Sequence, residues 1–126
     1  MHPNLGSEDY QKMFTDPQEW EEARSKISVF QLHHGNTMGG DCVWCFTPSG
    51  QSNSFENLAG VNAFQQLSQW GIPVAIEMGS LKHHNCEYPE RDMQNAVSNA
   101  IQTISNVKSA GGRVIAVSMD EPFMGG

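Results

Sequence analysis

Gly111-Gly112-Arg113-Val114-Ile115-Ala116-Val117-Ser118-Met119-Asp120-Glu121-Pro122 reads as the end of one element and the whole of the next. The paired glycines suit a helix stop, where the chain commonly turns left-handed. The apolar run after them, with Val114, Ile115 and Val117, reads as a buried strand. It stops on two acids and a proline. Parallel α/β proteins build their sites where the carboxyl ends of strands meet. Glu121 is therefore the first candidate functional residue, with Asp120 beside it.

Working outward, the same grammar recurs. Gly71 introduces Ile72-Pro73-Val74-Ala75-Ile76-Glu77, a second strand that ends on a carboxylate. Pro73 falls at its first residues, where a missing donor is tolerated. Ile27-Ser28-Val29-Phe30-Gln31-Leu32 is a third apolar run, ending near His33-His34-Gly35. Helices fit the segments before these strands. Asp16 as N-cap, Pro17 at N1 and Glu19 at the capping-box position predict a helix over 17–25, with Trp20 and Ala23 on one face. Ser54 can cap a helix over 55–70, where Leu58, Val61, Phe64 or Gln65, and Leu67 fall near helical spacing and Gly71 stops it. Pro89 opens a helix over 89–110, with Met93, Val97, Ala100 or Ile101, Ile104 and Val107 on one face. Residues 1–15 read as loop, and 35–54 as a long loop of the kind that is usually functional or mobile.

Three strands alternating with three helices predict a parallel α/β fold. The turns entering the strands are short. The loops leaving them are long and rich in reactive side chains, which puts function at the C-terminal strand ends. A doubly wound sheet usually has about five or six strands and a barrel eight, so three are an incomplete sheet. The expectation is part of a larger α/β architecture, or a unit completed by self-association, with a homodimer covering the exposed edge strands.

Composition narrows the function. At 126 residues the chain is long enough for one domain with a real core. A formal net charge of −7 argues against nucleic acid and anionic membrane as partners. The acids Glu8, Asp9, Asp16, Glu19, Glu21 and Glu22 gather near the N-terminus and read as a solvated face. No apolar run approaches the roughly 18 residues of a membrane span. Met1-His2-Pro3-Asn4-Leu5-Gly6 does not read as a signal peptide. The expectation is a soluble protein, cytoplasmic or secreted with its targeting segment outside this sequence. The three cysteines, Cys42, Cys45 and Cys86, exclude a full disulfide framework. One bridge with one thiol and three thiols both stay open. No GxGxxG follows a strand, and there is no Walker A loop or GxSxG elbow, so no nucleotide cofactor is expected.

Several of these segments together resemble the catalytic barrel of the glycoside hydrolase-like (β/α)8 clan, which carries Asn-Glu-Pro or Asp-Glu-Pro at the end of its fourth strand. They are Pro3-Asn4 with Gly6-Ser7 and Asp9; Asp16-Pro17 with Trp20 before Ile27-Ser28-Val29-Phe30; Gly71 through Glu77; and Ala110-Gly111-Gly112 leading to Met119-Asp120-Glu121-Pro122. The resemblance spans most of the chain and implies that its strands are the second, third and fourth of a TIM barrel, a half-barrel. It implies that Glu121 is the general acid/base. The clan's nucleophile sits on a later strand that this sequence lacks, so a partner copy or Glu77 has to supply the second carboxylate if hydrolysis is kept.

Glycoside hydrolysis needs two carboxyl groups in different protonation states, about 5–9.5 Å apart. Glu77 and Glu121, ending neighbouring strands about 4.8 Å apart, meet that requirement on paper. Asp120 points away from Glu121 if the strand persists, and serves to orient a neighbour. Trp44, Tyr88 and Phe123 are candidates to stack on sugar rings, and His33 and His83 to hydrogen-bond them. Phe46 lies in the same loops. His33-His34 and His83-His84 with the cysteines also raise a weaker metal reading, but Cys42-Val43-Trp44-Cys45 is a lone CxxC. Adjacent histidines on an extended chain point in opposite directions, which leaves one of each pair for a shared site. The carbohydrate hydrolase thus stands against a non-catalytic sugar-binding or assembly module, and more distantly a His/Cys metal protein.

Overall fold

Alternation of apolar and polar residues sets the sheet. The computed structural model describes residues 7–40, 42–78 and 89–119, with the side chains of 89–92 outside that description. Its strands are β1 (Phe30–His33), β2 (Val74–Met78) and β3 (Val114–Met119), all parallel and in the order β1-β2-β3. Phe30, Leu32, Val74, Ile76 and Met78 are buried on one face. Gln31, His33, Ala75 and Glu77 occupy the other. The register pairs His33 with Glu77 and Glu77 with Ser118. It slips between Val74 and Ala75, which pair with Val114 and Ala116 and leave Ile115 as the extra residue. From Ala116 on, even-numbered positions of β3 share the face of Glu77, and Val117 and Met119 share the face of Ile76 and Met78.

The helical segments are α1 (Lys12–Thr15), α2 (Glu21–Arg24), α3 (Phe55–Gly60), α4 (Ala63–Gln69) and α5 (Pro89–Ser109). The core joins Leu58, Phe64 and Leu67 of α3 and α4, Val107 of α5, and Tyr10, Met13 and Phe14 of the N-terminal segment to the apolar face of β1 and β2. A parallel α/β fold with a three-stranded sheet is therefore what the alternation predicts, but the helices differ in detail. Residues 1–15 are not all loop, because Met13 and Phe14 bury themselves on α1. The 17–25 helix shrinks to four residues, with Trp20 at its N-cap. Asp16 ends α1 instead, its N–H donating to the Lys12 carbonyl at 2.8 Å, so the capping box does not form. The 55–70 helix breaks at Asn62, whose φ of 56° is left-handed. Gln66 Nε2 donates to the carbonyls of Val61, at 2.9 Å, and Phe14, at 3.1 Å, which holds the break and ties α4 to α1. Ser54 takes the predicted N-cap position of α3 without a side-chain bond to the helix backbone.

Both glycine stops are as read. Gly71 (φ 72°) and Gly111 (φ 89°) are left-handed. The residue after each, Ile72 or Gly112, donates to the carbonyl five positions back, Leu67 or Val107, at 2.8 and 2.9 Å. Gly112 is required for a different reason. A Cβ there would lie 2.6 Å from Val107 Cγ1, 3.1 Å from the Val107 carbonyl and 3.2 Å from Phe64 Cβ.

The outer side of the sheet departs most from expectation. β3 is exposed along most of its length rather than buried, because of its residues only Val114 packs against the core; no strand among the described residues pairs with its outer edge. The expected apolar face of α5 is split. Ala100, Thr103, Ile104 and Val107 pack inward, whereas Met93, Val97 and Ile101 are exposed. Near its C-terminal end, Asn106 Nδ2 donates to the carbonyls of Thr37, at 3.0 Å, and Met38, at 2.8 Å, fastening α5 to the loop after β1.

Candidate functional site

The site forms where β1 and β2 end. Gln31, His33 and Glu77 lie on the face opposite the core, because they alternate with the buried Leu32 and Ile76. Gln31 Nε2 donates to Glu77 Oε2 at 2.6 Å, holding one carboxylate oxygen across the strand pair. After His33 the chain turns into a 3-10 segment, His34–Asn36. His33 Nδ1 accepts the Gly35 N–H at 3.1 Å, which fixes the ring and the acceptor nitrogen. The turn also brings the two imidazoles together, with ring centroids 4.0 Å apart. The expectation that His33 and His34 point apart fails because the backbone is not extended at His34.

His34 is half-buried, and its pKa lies below the usual histidine value. Burial is the main cause and the neighbouring His33 the next; a hydrogen bond to the Glu77 backbone and the Glu77 charge pull weakly the other way. His34 therefore favours the neutral ring, beside a carboxylate bonded to an amide. Such a group can accept and donate hydrogen bonds to hydroxyls and can move a proton.

The long loop is built rather than structureless. Cys42 and Cys45 form a disulfide around the 3-10 segment Val43–Cys45, and Phe46 bridges Ser52. That bond uses both cysteines, which rules out a bond from either to Cys86. It also removes them as thiolate ligands, and among the described residues no three His, Cys, Asp or Glu side chains come together to hold a metal ion. The disulfide packs against the turn that carries the histidines. A Cβ on Gly35 would meet Cys42 Sγ at 2.8 Å and His33 Nδ1 at 3.3 Å. Buried Asn36 donates Nδ2 to the Asn53 carbonyl at 2.8 Å and contacts Cys45 Sγ at 3.5 Å, closing the loop on itself. Glu56 accepts the Gly40 N–H at 2.9 Å, and that bond holds its pKa below the ordinary carboxylate value.

Of the residues singled out in the sequence, Glu77 and His33 meet at this site. Trp44 stands on the disulfide loop, 74% exposed, with Phe46 also open at 53%. Asp120, Glu121, His83, Tyr88, Phe123 and Cys86 lie outside the described residues. Sequence reasoning passed over Gln31 and Asn36. Gln31 was findable, since strand alternation puts it on the face of His33. Asn36 depends on a contact to Asn53 that no local pattern announces.

These elements define the class, a parallel α/β protein with a polar group at the carboxyl ends of its strands. Comparison with known protein families, curated proteins and solved structures returned no match, so the functional reading rests on the site.

Proposed function

We propose that this chain is a carbohydrate-active hydrolase built on part of a (β/α)8-type barrel, with Glu121 as general acid/base, Glu77 as nucleophile or base, and Asp120 orienting them. One observation carries the reading. Glu77 stands next to the last residue of β2 on the face opposite the core, hydrogen-bonded to Gln31 and beside the His33–His34 pair. A carboxylate among amide and imidazole donors suits a polyhydroxylated ligand. The strand order, sequential and parallel, is the order of consecutive barrel strands. Asp120 and Glu121 follow directly on Met119, the last residue of the strand beside β2. His33 and His83 serve as hydrogen-bonding groups, and Trp44, Tyr88 and Phe123 as stacking surfaces.

The test is turnover of a panel of aryl glycosides by the wild-type chain and by Glu121→Gln, Glu77→Gln and Asp120→Asn. Loss of the acid/base should lower turnover by about 10²–10⁴-fold while leaving the circular dichroism unchanged. Full turnover by the Glu121→Gln protein would sink the assignment. The second reading is a sugar-binding module without turnover, favoured by the exposure of Trp44 and Phe46 on a loop tied by a disulfide. It predicts oligosaccharide binding that Trp44→Ala abolishes and Glu121→Gln leaves intact.

A further inference from the structure

The loop after β1 is held by more than its disulfide. Cys42 and Cys45 are only 3 residues apart in sequence, and bonds that close short loops constrain the unfolded chain least. Other contacts fasten the same loop. The Asn53 N–H donates to the Cys45 carbonyl at 2.8 Å, and the Thr47 N–H to the Gln51 carbonyl at 2.7 Å. From the N-terminal segment, Gln11 Nε2 donates to the Ser52 carbonyl at 2.7 Å, and Glu8 Oε1 accepts the Ser49 N–H at 2.7 Å. A staple is therefore a weak account of why the bond is there.

The two sulfurs stand in different surroundings. Cys45 has no exposure, whereas Cys42 is 7% exposed and lines a cleft of about 290 Å³ with Phe46, Ser54 and Glu56. Asn36 Nδ2 donates to Cys45 Sγ at 3.5 Å. Thiol–disulfide exchange needs an attacking thiolate, an accessible sulfur and a leaving sulfur whose charge is stabilised. Cys42 offers the access, and Asn36 the donor to the sulfur that leaves.

We infer that Cys42–Cys45 is a thiol–disulfide exchange site, opened at Cys42 by a dithiol, and that its opening resets the turn carrying His33 and His34. One thiolate of the dithiol attacks Cys42 Sγ. The Cys42–Cys45 bond breaks as the new sulfur–sulfur bond forms, and its electron pair leaves on Cys45 Sγ. The second thiolate then attacks the first sulfur of the dithiol and expels the Cys42 thiolate. The dithiol is oxidised to a disulfide, the protein bond is reduced by the same two electrons, and the dithiol's two protons pass to Cys42 and Cys45.

The coupling to the turn is steric. A Cβ on Gly35 would lie 2.8 Å from Cys42 Sγ, 3.6 Å from Cys45 Sγ and 3.3 Å from His33 Nδ1. The turn thus rests on the bond through a glycine. Two unbonded sulfurs stand farther apart than a bonded pair, and a close-packed interior passes that change to whatever touches it. Here that is Gly35, whose N–H donates to His33 Nδ1 at 3.1 Å, and Asn36 beside it. The His33–His34 pair, 4.0 Å between centroids, stands on this backbone. The inference does not rest on the carbohydrate reading, because its readouts are thiols and imidazole resonances, not turnover.

The test uses the full chain carrying Cys86→Ser, so that every thiol counted comes from the bond. Excess dithiothreitol, removed before counting with dithionitrobenzoate, should free both thiols and leave the far-UV circular dichroism unchanged. The ring resonances of His33 and His34 should move on reduction and return on reoxidation. In the same background, the lone Cys42 of Cys45→Ser should react with dithionitrobenzoate at least about tenfold faster than the lone Cys45 of Cys42→Ser. The reduction experiment, which alters no residue of the loop, decides the matter if either variant fails to fold. A bond that yields to dithiothreitol only as the circular dichroism is lost would overturn the proposal, since it is then a staple. So would histidine resonances unmoved with both thiols free, or equal reactivity of the two folded variants.

Discussion

Gly112→Ala probes the joint between α5 and β3 with a single carbon. The new Cβ would sit 2.6 Å from Val107 Cγ1, on a side chain with no exposure, and could not simply displace it. Retreat the other way is blocked by Phe64 Cβ at 3.2 Å and by the Val107 carbonyl at 3.1 Å, itself the acceptor of the Gly112 N–H at 2.9 Å. Overpacking of this kind costs about 2–3 kcal/mol. For a domain of this length that is a fall in Tm of about 8–11 °C. Gly40→Ala is the control. Its φ of 82° is as unfavourable for a side chain as any here, but nothing lies within 4 Å of the added carbon, so it should cost only about 1 kcal/mol. Val107→Ala supplies the cycle. Removing Cγ1 relieves the closest contact, so the double variant should be more stable than the two single losses predict by at least about 1 kcal/mol. Calorimetry measures all five proteins. If Gly112→Ala melts within about 2 °C of wild type, the packing argument for this joint is wrong.

Two further outcomes follow from the loop after β1. Reducing the Cys42–Cys45 bond, or replacing both residues by Ser, should lower stability by about 2 kcal/mol, the closure entropy of so short a loop; equal urea midpoints with and without reductant would contradict this. The depressed pKa of His34 fixes the sign of a pH effect. The unfolded chain takes up a proton near pH 6.5 and the folded chain only below that, so stability should decline as pH falls from about 6.5 and level off below the folded pKa. His34→Gln should flatten that slope between about pH 7.5 and 5 in urea titrations, and an unchanged slope would place the titrating group elsewhere.

The sheet was legible because its signals are local. Apolar runs mark all three strands, and glycine stops mark the entry to β2 and β3, without reference to anything distant. The strand that read as most buried is nonetheless the exposed edge, since Val114-Ile115-Ala116-Val117 specifies an apolar surface but not what covers it. The helix over 55–70 misled for a related reason. Its apolar spacing continues through Asn62, and only the Gln66 bonds to Val61 and Phe14 stabilise the break. At the site, Glu77 and His33 were visible as strand-end residues. The His33–His34 pairing was not, because it depends on a turn that Gly35 permits against the disulfide.

Asn106 has a consequence for how the structure opens. Its one amide nitrogen holds two carbonyls, those of Thr37 and Met38, from a helix that lies between β2 and β3 in the chain. The Asn36 bonds join the same turn to the disulfide loop, which Gln11 and Glu8 hold in turn from the N-terminal segment. Residues 34–38 are thus fastened to α5 through Asn106 and to the disulfide loop through Asn36. In hydrogen exchange the histidine turn should gain protection together with α5, although more than fifty residues separate them in sequence. Loosening α5 should be felt at the turn beside Glu77 and, through Asn36, in the disulfide loop.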